Sequence, residues 1–147
     1  MDIKVKKLNE KAILPTRGSE YAAGYDLYAL INNEEGKIEI QPHSTEKIET
    51  GLAFELPENT FAAIFARSGL ATKQGLRPAN CVGVCDCDYR GQYIVALHND
   101  SDELRVVENK ERIAQMILIP YINMNFIETD KLSDTIRGGN GFGSTGV

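Results

Sequence analysis

Apolar and polar residues alternate through most of the chain in short runs. Segments 4–8 (KVKKL), 37–42 (KIEIQP), 46–57 (EKIETGLAFELP), 60–66 (TFAAIFA), 81–87 (CVGVCDC), 92–98 (QYIVALH), 104–108 (LRVVE), 111–122 (ERIAQMILIPYI) and 125–130 (NFIETD) are rich in Ile, Val, Phe and Tyr. Gly, Pro, Asn and Asp separate them, so each reads as a strand bounded by turns. Short strands at this spacing predict an all-β fold, a sandwich or barrel. No internal repeat, linker or charge run divides the sequence, and one domain over residues 1–147 is expected.

Within that pattern, residues 80–93 (NCVGVCDCDYRGQY) predict two strands folded back on each other. Asp88-Tyr89-Arg90-Gly91 has the Asp and Gly of a type I turn. Residues two apart in a strand share a face, so Val82, Val84, Asp86 and Asp88 point one way and Cys81, Gly83, Cys85 and Cys87 the other. A carboxylate in line with valines, beside a tyrosine and an arginine, suits chemistry better than a plain surface or a core. Asp88 is assigned to the turn, and Asp86 is the candidate reactive group.

Two stretches break the strand pattern. In Ala66–Gly75, Ser68 reads as an N-cap, Leu70 to Gln74 as one or two helical turns and Gly75 as the residue that ends them. A helix start offers free N–H groups, and Arg67 immediately before it makes an anion site conceivable; the plain alternative is a capped turn with a surface arginine. In Arg137–Gly146 half the residues are glycine, which cannot hold a fixed shape alone. The lone Phe142 and leading Arg137 suit a lid over an aromatic, anionic ligand rather than an idle tail. Gly141 to Gly146 matches GxGxxG, but no helix can follow so near the end, and the lysine of a Walker A loop is missing.

Composition narrows the function. With 42% hydrophobic and 25% charged residues the chain is ordinary for a globular protein, and its net charge of −5 argues against general nucleic-acid or membrane-surface binding. A phosphate site must then be local, built from a few arginines, backbone N–H groups or a metal. The opening MDIKVKKLNEK has no apolar stretch and IAQMILI is too short to span a bilayer, so neither a signal peptide nor a membrane anchor is expected. Three cysteines suggest reduced thiols in a cytoplasmic protein. Their spacing fits no common zinc site, and they are expected buried in a strand. His43 and His98 are unclustered, which makes a Ser-His-Asp or Cys-His system improbable. Asp26, among Ala22, Ala23 and Gly24, allows close approach of another segment or a ligand, although a turn aspartate is the commoner case. Gln115, amid apolar residues, needs a hydrogen-bond partner.

Taken together, AGYDLYA (23–29), ARSGLA (66–71), GVCDCDYRGQY (83–93), ERIAQMIL (111–118) and RGGNGFGSTG (137–146) resemble the five motifs of the trimeric deoxyuridine triphosphatase (dUTPase) family, in order and with similar spacing. The resemblance implies a jelly-roll-like β-sandwich with one short helix and a C-terminal glycine-rich lid. It implies a homotrimer with shared active sites and Mg²⁺-assisted cleavage of dUTP to dUMP and pyrophosphate. It assigns the general base to Asp86, the ring against the deoxyribose to Tyr89, the uracil amide to Asn80, and pyrimidine-reading backbone to Gly83, Val84, Cys85 and Ile94. Arg67, Ser68 and Gly69 match the phosphate cradle, and Asp26 and Gln115 match side chains holding waters of the magnesium. Arg137 would reach the outer phosphates, Phe142 would stack on uracil, and Gly143 and Ser144 would wrap the γ-phosphate. Cys85 stands where the family usually has Ile. Rival expectations are a dCTP deaminase, or a bifunctional deaminase-dUTPase, on a related fold, and a non-catalytic nucleotide-responsive binding protein.

Overall fold

Short alternating segments become strands wherever a partner edge is in register and one face can be buried. In the computed structural model, which describes residues 1–141, twelve strands and one helix form. They are β1 (Lys4–Lys7), β2 (Thr16–Arg17), β3 (Tyr25–Tyr28), β4 (Lys37–Ile40), β5 (Thr45–Glu49), β6 (Leu52–Glu55), β7 (Thr60–Phe65), α1 (Ser68–Gln74), β8 (Leu76–Pro78), β9 (Gly83–Asp86), β10 (Ile94–Asn99), β11 (Arg105–Glu108) and β12 (Arg112–Pro120). The largest sheet has the order β2-β3-β12-β7-β9; smaller ones are β5-β10-β8, β1-β6 and β11-β4, and every pairing is antiparallel. Their inward faces meet in one core containing Leu27, Ile40, Ile48, Leu52, Phe54, Leu97 and Ile113, all essentially inaccessible. Each such side chain contributes about 1.5–3 kcal/mol by leaving water. This is the β-rich, jelly-roll-like architecture expected, with one short helix among the described residues.

The expected strands are present with four corrections. Segment 46–57 divides into β5 and β6 at Gly51, whose φ of 69° and contacts with Leu30 and Ala12 leave no room for a Cβ. Segment 125–130 is not a strand: the chain leaves the sheet after Pro120, and Phe126 and Ile127 are exposed because no edge within the described residues pairs with them. Asp26, for which a turn was the commoner reading, lies inside β3.

The fourth correction matters most. Residues 80–93 are not a hairpin. β9 pairs with β7, whereas β10 pairs with β5 and β8 in another sheet. The turn comes two residues early, at Asp86 to Tyr89, where Tyr89 N–H donates to Asp86 O at 3.2 Å. The chain then crosses between sheets and is pinned at Tyr93, whose N–H donates to Leu52 O at 2.8 Å and whose carbonyl accepts from Thr50 Oγ1 at 2.6 Å. Burial of the Tyr93 ring, 2% exposed, outweighs local hairpin pairing.

Candidate active site

The crossing from β9 to β10 opens a pocket of about 310 Å³ lined by both strands and by Asn80, Tyr89 and Gln92. β9 is the edge of its sheet, and β10 pairs with β8 only from Leu97 onward. The pocket therefore faces two short stretches of backbone with open ladder edges, Gly83–Cys85 and Ile94–Val95, bounded by Asp86 O, which accepts from Tyr89 N–H, and Ala96 O, which accepts from Ala79 N–H. Such edges read the hydrogen-bonding rim of a flat ring as a missing strand would. Val84 and Ile94, both exposed, also line the pocket. Gly83 is required by packing: a Cβ there would crowd Ile64 and Asn80 Nδ2, at 3.1 and 3.2 Å.

Within β9 the expected alternation holds, with Gly83 and Cys85 inward and Val84 and Asp86 outward. Asp86 ends the strand opposite Phe61 and is exposed at the pocket. Burial raises the Cys85 thiol above its usual pKa, and the Asp86 carboxylate adds to this; the nearby Tyr93 hydroxyl works in the opposite direction. Cys81 and Cys87 depart from the expected burial in a strand: Cys81 precedes β9, is exposed and has a φ of 62°, and Cys87 follows β9 in the turn and is only half-buried. All three cysteines are free.

Tyr89, 46% exposed, is fixed at the pocket by its surroundings. Its hydroxyl donates to Gln92 O at 3.1 Å, its ring stacks on Tyr93 with centroids 6.1 Å apart, and Gly91 lies so close that a Cβ would strike the ring. Burial pushes the Tyr93 hydroxyl well above the usual tyrosine range. Tyr93 Oη lies beside the Cys85 thiol but makes no well-formed hydrogen bond.

A second group forms at the other end of the large sheet. Asp26 on β3 faces Gln115 on β12, and Gln115 faces Phe65 on β7. Asp26 is 8% exposed; its Oδ1 accepts from Arg67 Nε at 2.9 Å and its Oδ2 from Arg112 Nη1 at 3.1 Å. Two guanidinium groups offset the cost of burying this carboxylate. Arg67 Nη1 also donates to the Arg112 carbonyl, which holds the residue before α1 in an extended conformation. Ser68 is consequently not the cap: Arg67 occupies that position without a side-chain cap, and the Ser68 carbonyl accepts from Thr72 Oγ1. Gly69 borders open space, and Gly75 ends the helix at a φ of 69° as expected. Gln115 finds its partner in Ala66 O, to which Nε2 donates at 2.9 Å, and its Oε1 lies against Gly24, where no Cβ could fit.

The sequence-derived residues thus fall into two groups. Asn80, Gly83, Val84, Cys85, Asp86, Tyr89 and Ile94 share the pocket; Arg67, Asp26 and Gln115 do not line it, and Ser68 and Gly69 adjoin Arg67. Between Asp26 and Asp86 lie three strand spacings and four residues along β7, roughly 20 Å in a flat sheet. Arg137 is exposed and donates to Asn140 O, while Phe142, Gly143 and Ser144 lie outside the described residues. Sequence reasoning missed Arg112 and Tyr93. Arg112 carried a weak signal, a cation heading an apolar strand; Tyr93 carried none that separated it from an ordinary core tyrosine.

The dUTPase family profile matches residues 10–146. The deoxyuridine 5'-triphosphate nucleotidohydrolase of Nautilia profundicola is 42% identical over 99% of both chains. That of Desulfitobacterium hafniense is 49% identical over 91% of this chain and 87% of its own. The dUTPase of Staphylococcus bacteriophage 80alpha, solved with dUpNHpp, superposes with a TM-score of 0.87 at 25% identity, covering 99% of each chain. The chain belongs to the dUTPase family.

Proposed function

We propose that this protein is a dUTP diphosphatase, a homotrimer that converts dUTP to dUMP and pyrophosphate in the cytoplasm, limiting uracil in DNA and supplying dUMP for thymidylate synthesis. The reading treats residues 1–147 as one catalytic domain with residues 137–147 as its lid. The observation that carries it is the pocket between β9 and β10: two unpaired backbone edges, an amide at Asn80, a fixed ring at Tyr89 and an exposed carboxylate at Asp86 line one cleft.

Uracil enters between the strands and pairs with the Asn80 amide and the backbone of Gly83, Val84, Cys85 and Ile94. Cytosine would leave buried polar groups unpaired, which such sites reject strongly. Tyr89 packs against the deoxyribose where a 2′-hydroxyl would collide. Asp86 takes a proton from water as its oxygen bonds to the α-phosphorus and the bond to the leaving pyrophosphate breaks. A base so placed contributes ~10²–10⁴-fold in rate.

Arg67, Ser68 and Gly69 cradle the phosphates. Their distance from Asp86 within one chain supports completion of each site by a neighbouring copy. The exposed apolar side chains of Ile122, Met124, Phe126 and Ile127 also favour assembly. Arg137, Phe142, Gly143 and Ser144 close over the bound nucleotide.

The donor chemistry fits Mg²⁺ held through water. Among the described residues no cluster of three or more His, Cys, Asp or Glu exists to cage a metal. Asp26 and Gln115 Oε1 are oxygen donors of the kind magnesium's waters favour. With Arg67 and Arg112 already on Asp26, the carboxylate suits contact through those waters better than direct coordination. When bound, Mg²⁺ would supply charge neutralisation to the triphosphate. Hydrolysis in ¹⁸O-labelled water tests the chemistry: the label is expected in dUMP, and label in pyrophosphate would overturn attack at the α-phosphorus.

A further inference from the structure

Tyr89 projects from a turn at the surface, yet the proposed sugar selectivity needs its ring held in one plane. A turn alone cannot do this, because a half-exposed tyrosine has soft side-chain torsions. We propose that Tyr93 is the positioning residue that sets the Tyr89 ring, and through it the discrimination between deoxyribose and ribose. This inference rests on the dUTP reading above and extends it to a residue that would not touch the sugar.

Tyr93 is anchored independently of Tyr89. Its backbone is tied on both sides, to Leu52 O at 2.8 Å and to Thr50 Oγ1 at 2.6 Å. Its ring packs on Phe54, a buried core residue, with centroids 4.5 Å apart. Tyr89 then stacks on Tyr93 at 6.1 Å and an interplanar angle of 29°. The order Phe54, Tyr93, Tyr89 runs from the core to the pocket and carries the rigidity of the first to the last.

Two further features fit this role. The thiol of Cys85 lies beside the Tyr93 hydroxyl, and both residues pack into the core. The Tyr93 hydroxyl is buried without a well-formed hydrogen bond, so no polar contact of its own ties it to the pocket. The work is therefore done by the ring, and the hydroxyl is dispensable.

The test compares kcat and KM for dUTP and UTP in wild type, Tyr93→Phe and Tyr93→Leu, with melting temperatures alongside. Tyr93→Phe is expected to keep the wild-type preference. Tyr93→Leu is expected to raise KM for dUTP with little change in kcat and to lower the dUTP-to-UTP preference by roughly three- to tenfold, the range an aromatic pair supports. A folded Tyr93→Leu protein with unchanged preference, or a Phe variant as impaired as the Leu one, overturns the proposal. If Tyr93→Leu does not fold, Tyr93→Met, a flexible side chain without a ring, takes its place in both measurements, and an unchanged preference there counts equally against the proposal. A crystal structure of ligand-free Tyr93→Leu separates this inference from its parent: Tyr89 in its original plane refutes the positioning role whatever the substrate. Wild type that cleaves no dUTP refutes the parent reading instead.

Discussion

Arg67 Nε lies 2.9 Å from Asp26 Oδ1, joining the residue before α1 to the middle of β3. The bond links two motifs that are 41 residues apart. It also orients one edge of the Arg67 guanidinium inward. Replacing Asp26 by Asn keeps the shape but leaves Arg67 and Arg112 without their charge partner. Loss of one member of such a pair costs about 3 kcal/mol when fully buried, and less here because Arg112 is half exposed. A lower urea midpoint with unchanged slope, together with a large loss of turnover, is the expected outcome. Unaltered stability would mean that the two arginines are satisfied by solvent.

Asp86 should behave oppositely. It is exposed and pairs with no cation within the described residues, so Asp86→Asn is expected to shift stability by no more than about 0.5 kcal/mol. Turnover should fall by ~10²–10⁴-fold while binding of a non-hydrolysable dUTP analogue persists. Calorimetry and steady-state rates together check this; near-normal turnover removes the base assignment.

Asp86 and the Asp26–Gln115 group lie roughly 20 Å apart within one chain, and this separation is testable by mixing subunits. Asp86→Asn and Arg67→Ala are each expected to be inactive alone. If a site takes Asp86 from one copy and Arg67 from another, co-refolding equal amounts regenerates wild-type sites at roughly a quarter of the total. A single-chain site would regenerate none.

Residue patterning alone did not show this separation; only the family resemblance, with its shared sites, implied it. The motifs could be found in order along the chain, and most strands followed from alternation that the structure repeats. Local pattern could not reveal that 81–87 and 92–98 belong to different sheets, because the deciding events are the pairing of β9 with β7 and the burial of Tyr93. The same limit explains the misreading of 125–130: NFIETD carries strand-forming Phe, Ile and Thr, but no edge among the described residues pairs with it. Ser68 resembled a cap because hydroxyl residues commonly are caps. The Arg67–Asp26 contact, which is tertiary, set the helix start elsewhere.

Removing residues 137–147 is expected to leave a folded protein, since residues 137–140 are exposed and hydrogen-bond locally. Activity should fall steeply with little change in melting temperature. Unfolding on truncation would make the tail a structural element rather than a lid.

Stability should respond to pH at Asp100. Arg77 donates to both its oxygens, at 2.6 and 2.9 Å, and this pairing holds the Asp100 carboxyl below the usual carboxylate range. A lowered folded-state pKa stabilises the fold above the unfolded value, 3.8, and that contribution disappears as pH falls through the folded value. Asp100→Asn should thus be less stable than wild type at pH 7 and converge with it in acid. Because the pair is exposed, the difference should be small and shrink with salt. Denaturation midpoints across pH would show this, and a gap that persists below the folded pKa would contradict it.

The most direct measurement is pyrophosphate release from dUTP, dCTP, dTTP and UTP, each with and without Mg²⁺. The account predicts strong release from dUTP alone, dependent on Mg²⁺. Ammonia from dCTP, or silence with all four from a folded protein that still binds dUTP, would contradict it.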